Sequence, residues 1–150
     1  MDLRQIYNQV ITENSRSTEH RRHVPGCTCS LEGLNASCGD DITLELRVND
    51  GVIEDAGFTG VGCAISQAST SLMIGLVKGR EVSEAKSLVD LFFRMIKGEI
   101  KDEAELDELE DAAALQGISH TPARVKCAVL AWHTLEEALD GKQVQGESVE

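Results

Sequence analysis

The stretch at residues 42–59, ITLELRVNDGVIEDAGFT, contains the pattern that decides the fold. Apolar side chains at positions 42, 44, 46 and 48 alternate with polar ones, which is typical of a strand with one buried face. Asp50-Gly51 supplies the positive φ angles of a tight hairpin turn, and residues 52–59 return as the paired strand. Residues 28–34 fit a further short strand. The sequence therefore predicts a small antiparallel β-sheet of about three strands.

Helices are predicted on either side of this hairpin along the chain. Apolar residues within positions 3–11 recur with the period of an amphipathic helix. A second helix follows Cys63, a third opens at residues 83–86, and a last one starts at Thr121-Pro122 and runs to about residue 139. Together these elements predict an α+β fold in which the helices pack on the sheet.

The length of 150 residues fits a single domain that spans positions 1–150. Residues 98–117 or so form an acidic insertion, which we interpret as a solvated, partly helical segment. A docking surface is the alternative interpretation of the same charges. The residues from about 142 to 150 are interpreted as a loose C-terminal tail.

Charge and hydropathy restrict the class of function. Asp and Glu number 26 against 14 Lys and Arg, a formal net charge of −12, so nucleic acid is not expected as a partner. The N-terminal residues lack a signal peptide's apolar segment, and no apolar run is long enough to cross a bilayer. We therefore expect a cytoplasmic protein with no membrane association. In that compartment the five cysteines favour metal ligands or reactive thiols over disulfides.

Three cysteines and one carboxylate are the candidate site residues. Cys38 lies in a Ser-Cys-Gly-Asp turn, where glycine allows its sulfur and the Asp40 carboxylate to converge. Cys63 follows a glycine-rich stretch and opens a helix, whose free N–H groups favour a thiolate. Cys127 lies within the last helix. Three sulfurs and a carboxylate suit tetrahedral zinc or an iron site. Their spacing matches no compact zinc finger, so unrelated cysteines remain the alternative at this point.

The remaining cysteines and histidines are weaker candidates. Cys27 and Cys29 are separated by one residue and have no matching pair, so we interpret them as non-ligating and prone to oxidation if exposed. Histidines are not expected as ligands, although His120 lies just before the last helix and could approach the site. His133 follows Cys127 by six positions and lies off its helix face.

Three motifs resemble those of a known family. Residues 35–40 (NASCGD) resemble the Asn-Pro-x-Cys-Gly-Asp motif of SufU and its relatives. Residues 62–69 (GCAISQAS) are similar to the family's Gly-Cys-Ala-Ile-Ser-x-Ala-Ser segment, and residues 124–132 (RVKCAVLAW) resemble its third cysteine motif. The motifs occur in the family's order over nearly the whole chain. The sequence thus resembles the SufU, IscU and NifU N-terminal family of iron–sulfur cluster assembly.

Two features resemble the SufU branch more than the IscU branch. Lys126 stands where IscU-type proteins carry a histidine, and the acidic stretch at about 98–117 resembles an insertion of SufU-type proteins. Some positions depart from the family pattern. Ala36 replaces the motif's proline, and residues 23–26 (HVPG) stand where a Pro-Arg-Asn segment is usual. These departures bear on the choice of partner more than on the metal site.

The resemblance implies a zinc site and a sulfur-transfer activity. The ligands it implies are Cys38, Asp40, Cys63 and Cys127. The implied partner is a pyridoxal-phosphate cysteine desulfurase of the SufS type, from which Cys38 would accept sulfur as a persulfide. We further expect Arg124, one turn before Cys127, to face the metal and assist the transfer.

Two other functions remain open. The same ligands could bind an iron–sulfur cluster or iron, which would make the chain a scaffold that passes a nascent cluster to acceptor proteins. A structural zinc domain that only mediates protein contacts is the third interpretation, and it predicts unfolding when the metal is removed.

Overall fold

The computed structural model describes residues 3–100, 102–141 and 148–149. Its sheet contains three antiparallel strands, β1 (Cys29–Asn35), β2 (Asp40–Asn49) and β3 (Val52–Val61), in the order β3-β2-β1. A two-residue strand, β4 (Ser148–Val149), pairs in parallel with β1. The predicted hairpin is confirmed, because Asp50 and Gly51 have φ angles of 52° and 75°.

The helices follow the predicted order. They are α1 (Leu3–Arg16), α2 (Ala64–Val77), α3 (Val82–Ile96), a short α4 (Glu103–Asp107), a 3₁₀ helix (Glu110–Ile118) and α5 (Pro122–Leu139). The side chains of residues 3, 6 and 7 in the first apolar stripe lie outside the described residues. Thr121 is the N-cap residue of α5, but its side chain makes no capping hydrogen bond. The predicted α+β fold is therefore confirmed.

Helix α5 lies directly against the sheet, and this contact positions the last cysteine. A Cβ atom at Gly33 of β1 would lie 2.3 Å from Thr134 Oγ1 of α5, so the helix approaches the strand as closely as glycine allows. Trp132 stacks on Phe92 of α3 at 4.0 Å between ring centroids. Its Nε1 donates to Ser69 Oγ of α2 at 2.9 Å. These contacts fix the rotation and height of α5 over the sheet.

The loop at residues 17–28, here called the covering loop, packs over the polar face of β2 and β3. Its Arg22 donates to Asp55 at 3.0 Å, and its His23 contacts Glu45 at 2.7 Å. The Arg22 guanidinium, with help from Lys78, holds the pKa of Asp55 well below its usual range. The polar face of the sheet is therefore covered through the Arg22–Asp55 ion pair and the hydrogen bond between His23 and Glu45.

The acidic insertion is packed on the body of the protein. Most of its acidic side chains are exposed, whereas Leu109, Ala112 and Leu115 are buried in the core. The segment is therefore a core element with a charged outer surface, and charge alone did not reveal its buried face.

Two further predictions concern the chain's end and membranes. Of the expected tail at 142–150, only Ser148–Val149 falls within the described residues. Among the helices in the described part of the chain, none is long and apolar enough to cross a membrane.

Candidate metal centre

Three separate parts of the chain meet at the end of β1 where the chain turns into β2. The turn supplies Cys38, and the first residue of β2 is Asp40. The loop after β3 ends at Cys63, and the second turn of α5 carries Cys127. Gly39 has a φ angle of 71°, which only glycine adopts without strain and which folds the turn tightly between Cys38 and Asp40.

Three of the four predicted ligands form a compact group. The ligand atoms of Cys38, Asp40 and Cys127 all lie within 4.8 Å of one another. Asp40 and Cys127 are buried, with 1% and 3% of their surface exposed, whereas Cys38 is exposed. Cys63, which is half-buried, is outside this closest group but contacts the Cys127 thiol. We call these four residues the thiol–carboxylate group.

Hydrogen bonds hold Asp40 in place. Its Oδ1 accepts from the Cys63 amide at 2.8 Å, and its Oδ2 accepts from Asn35 Nδ2 at 3.2 Å. Asn35 Nδ2 also lies 3.7 Å from Cys127 Sγ. A Cβ atom at Gly62 would lie 3.1 Å from Asp40 Oδ1, so glycine keeps this approach open. Asn35 therefore connects the carboxylate to a sulfur, a role that the sequence did not indicate.

The electrostatic surroundings keep Cys127 protonated in the metal-free chain. Burial raises the pKa of its thiol well above the usual range, and contacts with Cys38, Cys63 and Asp40 raise it further. Because metals bind the thiolate, a cation that binds here must displace the proton of Cys127.

Cys63 is held at the N-terminus of α2. As the N-cap residue it accepts a hydrogen bond from the Ser66 amide, with 3.4 Å between N and Sγ. Ser66 Oγ is buried and, among the described residues, has no hydrogen-bond partner. A buried hydroxyl without a partner is costly. The Ser66 hydroxyl offers a hydrogen-bond donor one turn from the Cys63 sulfur.

The loop that leads to Cys63 is clamped by two residues that sequence reasoning missed. Arg21 of the covering loop donates to the Gly60 carbonyl at 3.0 Å and also to Gln67 Oε1. Gln67 Nε2 in turn donates to the Gly62 carbonyl at 2.6 Å. The position of Gln67, one turn after Cys63 within the second motif, is the only sequence signal that could have indicated this role.

The donor set fits zinc. Zinc prefers four ligands in a tetrahedron with bonds to sulfur of about 2.3 Å, which places neighbouring ligand atoms roughly 3.8 Å apart. The ligand atoms of Cys38, Asp40 and Cys127, which lie within 4.8 Å of one another, require only small movements to reach that spacing. Soft sulfur donors also disfavour magnesium and calcium.

The other candidate residues lie outside this group. Arg124 is exposed on the first turn of α5, and its guanidinium makes no hydrogen bond or ion pair with the described residues. His120 is exposed, and the His133 ring packs against Phe93 with 4.5 Å between centroids. Whether Arg124 assists the chemistry stays a prediction.

Cys27 and Cys29 are at the opposite end of β1. Cys27 is exposed in the covering loop, whereas Cys29 is buried and its Sγ contacts the Ala138 carbonyl at 3.9 Å. Neither belongs to the metal-capable group found among the described residues.

Comparisons with known proteins identify the family of the chain. The family model described as the NifU-like N-terminal domain matches residues 14–128. The iron–sulfur cluster assembly scaffold protein IscU of Thermotoga maritima is 44% identical over 139 residues, which cover 93% of this chain and 96% of that protein. The zinc-dependent sulfurtransferase SufU of Bacillus subtilis is 36% identical over 138 residues, 92% of each chain.

A solved structure extends the similarity to the fold. The crystal structure of a SUF-system cluster assembly scaffold protein from Fervidobacterium islandicum superposes with a TM-score of 0.79 at 36% identity. The match covers 90% of this chain and 97% of that one. The resemblance carried by the three cysteine motifs is thus confirmed, and the chain belongs to the NifU-like N-terminal domain family, with SufU and IscU proteins as its relatives.

Proposed function

We propose that this protein is a zinc-dependent sulfur carrier of iron–sulfur cluster assembly. In this proposal Cys38, Asp40, Cys63 and Cys127 hold the zinc, and Cys38 accepts sulfur from a pyridoxal-phosphate cysteine desulfurase of the SufS type. The reaction takes place in the cytoplasm, where reducing conditions keep thiols free.

The observation that carries the proposal is the unequal exposure of the group. Cys38 is exposed on a tight turn, while Asp40 and Cys127 beside it are buried. An incoming persulfide can therefore reach Cys38 without displacing the buried residues. Persulfide exchange requires an accessible thiolate, and Cys38 is the most accessible member of the group.

The transfer moves one sulfur atom and needs no outside oxidant. The Cys38 thiolate attacks the outer sulfur of the desulfurase persulfide, and a sulfur–sulfur bond forms at Cys38. The desulfurase cysteine leaves as a thiolate with the electron pair of the broken bond, and the proton stays on the transferred sulfur. Zinc, when bound, keeps the cysteines of the site ionised at neutral pH.

The other residues of the group keep their places while Cys38 reacts. Asp40 remains bonded to the Cys63 amide and to Asn35, so the carboxylate stays oriented. Arg124 and Lys126 project from the exposed start of α5. In our proposal Arg124 stabilises the negative charge on the exchanging sulfur atoms.

A scaffold that carries a nascent cluster is the second candidate. It is favoured by the 44% identity to the Thermotoga maritima relative, which is named as a scaffold protein. The sulfur carrier is favoured by Lys126, because IscU-type proteins carry a histidine at this position.

The metal and sulfide content of protein purified without oxygen separates the two candidates. The sulfur carrier predicts about one zinc per chain and no visible absorption. Iron with matching acid-labile sulfide and a brown chromophore would instead establish the scaffold.

A matched pair of cysteine variants tests the acceptor. Cys38→Ala should abolish the stimulation of a SufS-type desulfurase, whereas Cys27→Ala should leave it intact, although both cysteines are exposed. Mass spectrometry of trapped peptides should find the added sulfur atom on Cys38. Stimulation that survives in Cys38→Ala would refute the proposed transfer.

A further inference from the structure

A cleft between the end of β1 and the outer side of α5 adjoins the thiol–carboxylate group. Its volume is about 450 Å³, which is within the range of small-molecule sites. We call it the β1–α5 cleft. Its lining residues are Leu34, Asn35, Ala36, Ser37, Lys126, Val129, Leu130 and His133.

The charge of this cleft differs from that of the rest of the molecule. The protein carries a net charge of −12, and two other clefts in the described part of the chain contain acidic side chains, without Lys or Arg in one cleft and together with Lys86 and Arg94 in the other. The β1–α5 cleft is lined by Lys126 and His133, with no acidic side chain among its described lining residues. The Lys126 ammonium forms no ion pair with the described residues, so it is available to an anion.

The cleft is also connected to the site. Asn35 lines the cleft, and the same side chain donates to Asp40 and approaches Cys127 Sγ. Ser37, another lining residue, directly precedes Cys38. A molecule bound in the cleft would therefore lie beside the turn that presents the exposed cysteine.

We propose that the β1–α5 cleft binds a small thiol that carries a carboxylate and that accepts sulfur from Cys38. The proposal rests on the proposed function, because it requires a persulfide on Cys38. Lys126 pairs with the carboxylate, and the apolar side chains of Leu34, Val129 and Leu130 contact the carbon skeleton.

The transfer step is balanced without any further reactant. The thiolate of the bound acceptor attacks the outer sulfur of the Cys38 persulfide, and a new sulfur–sulfur bond forms on the acceptor. The bond between Cys38 Sγ and that sulfur breaks, and Cys38 leaves as a thiolate with the electron pair. The acceptor departs as a persulfide, and Cys38 returns to its neighbours Asp40 and Cys127.

Binding is tested first on zinc-loaded protein with probes that cannot transfer sulfur. S-methylglutathione and S-methylcysteine keep the carboxylates but lack a free thiol. Methyl signals of Leu34 and Val129 should shift with saturation, and Lys126→Gln should raise the dissociation constant about 10-fold, as expected for one lost charge-assisted contact. Arg16→Gln is the matched control, because Arg16 is an exposed cation at the end of α1.

Discharge of the persulfide is tested next with two thiols that differ in charge. Glutathione should discharge Cys38 with saturation kinetics, and Lys126→Gln should raise its KM about 10-fold with little change in kcat. Discharge by the neutral 2-mercaptoethanol should be equal in the two proteins.

The outcomes separate this proposal from the one on which it rests. Absence of saturable binding by both probes, or equal binding in Lys126→Gln, overturns the cleft proposal whether or not Cys38 carries sulfur. An equal effect of Lys126→Gln on both thiols also overturns it. Binding as expected, together with a Cys38 that never accepts sulfur, would support an anion site and refute the sulfur transfer.

Discussion

The two ends of β1 have similar chemical groups but different arrangements. Each end has an exposed cysteine, a buried cysteine and a buried carboxylate of β2. They are Cys38, Cys127 and Asp40 at the far end and Cys27, Cys29 and Glu45 at the near end. Both carboxylates accept a backbone amide, from Cys63 at 2.8 Å and from Val24 at 2.9 Å.

The difference lies in what converges on the carboxylate. At the far end, sulfur atoms from the turn and from α5 lie within 4.8 Å of Asp40 and of each other. At the near end, His23 takes the second carboxylate oxygen of Glu45 and Cys27 also contacts this carboxylate, but Cys29 turns away to contact the Ala138 carbonyl. Burial would raise the pKa of Glu45, but the bonds from Val24 and His23 outweigh it and lower that pKa. Among the described residues, the group that could hold a metal ion is therefore the one in which separate chain segments leave their ligand atoms facing one another.

The largest expected effect comes from replacing the buried cysteine at each end. Cys127→Ser should weaken zinc binding by more than about 100-fold, which exceeds the loss typical of residues around the ligands. Cys29→Ser should leave zinc affinity unchanged within about 2-fold, because its sulfur faces Ala138. Chelator competition measures both. Equal losses in the two variants would mean that the ends of β1 do not differ in the way described.

The supporting amide of Asn35 should give the next largest effect. Asn35→Ala removes the donor to Asp40 and the contact with Cys127, and zinc affinity should fall about 10- to 100-fold. Asn49→Ala is the control, because Asn49 also donates to a carboxylate, that of Glu54, but at the hairpin tip. If both variants bind zinc alike, Asn35 has no role in holding the site.

The covered face of the sheet should control acid stability instead of metal binding. The pKa of Asp55 is lowered in the folded protein, so its stabilising effect is complete above about pH 4, the unfolded value. That effect is lost as the pH falls from about 4 towards the lower pKa that Asp55 has in the folded state. The Asp55→Asn substitution should lower the free energy of unfolding by about 2 kcal/mol at pH 7.

Urea unfolding at two pH values checks this prediction. The difference in unfolding free energy between wild type and Asp55→Asn should narrow at about pH 3, because Asp55 gains a proton in the unfolded wild-type chain while the folded state keeps it ionised. Asp111→Asn, at an exposed position of the 3₁₀ helix, is the control and should change stability little. If the difference in unfolding free energy stays constant with pH, the charge pairs of Asp55 are not its cause.

The smallest expected effect concerns the clamp on the Cys63 loop. Arg21→Ala removes the donors to Gly60 and Gln67, and zinc should dissociate about 3- to 10-fold faster because the loop opens more often. Stopped-flow chelation measures the rate, with Arg16→Ala as the control. Identical rates in the two variants would limit Arg21 to holding the covering loop.

Local patterns were sufficient for the three antiparallel strands and the long helices. Alternating apolar residues and Asp50-Gly51 predicted the hairpin, and the structure confirms it because strand period and turn angles are local properties. Thr121-Pro122 likewise marked the start of α5, although the Thr121 side chain does not cap it. The buried face of the acidic insertion was missed, since Leu109 and Leu115 are dispersed among charged residues.

The sequence by itself determined the three antiparallel strands, the long helices and the four candidate ligands, because turn chemistry, hydrophobic period and the three motifs are properties of short stretches of chain. Only the tertiary structure decided which groups meet. Asn35 and Cys127 are 92 positions apart, and their contact depends on α5 approaching β1 at Gly33. The same holds for Arg21, which reaches Gly60 across 39 positions. Such contacts have no local pattern, because they arise from how separately formed elements pack.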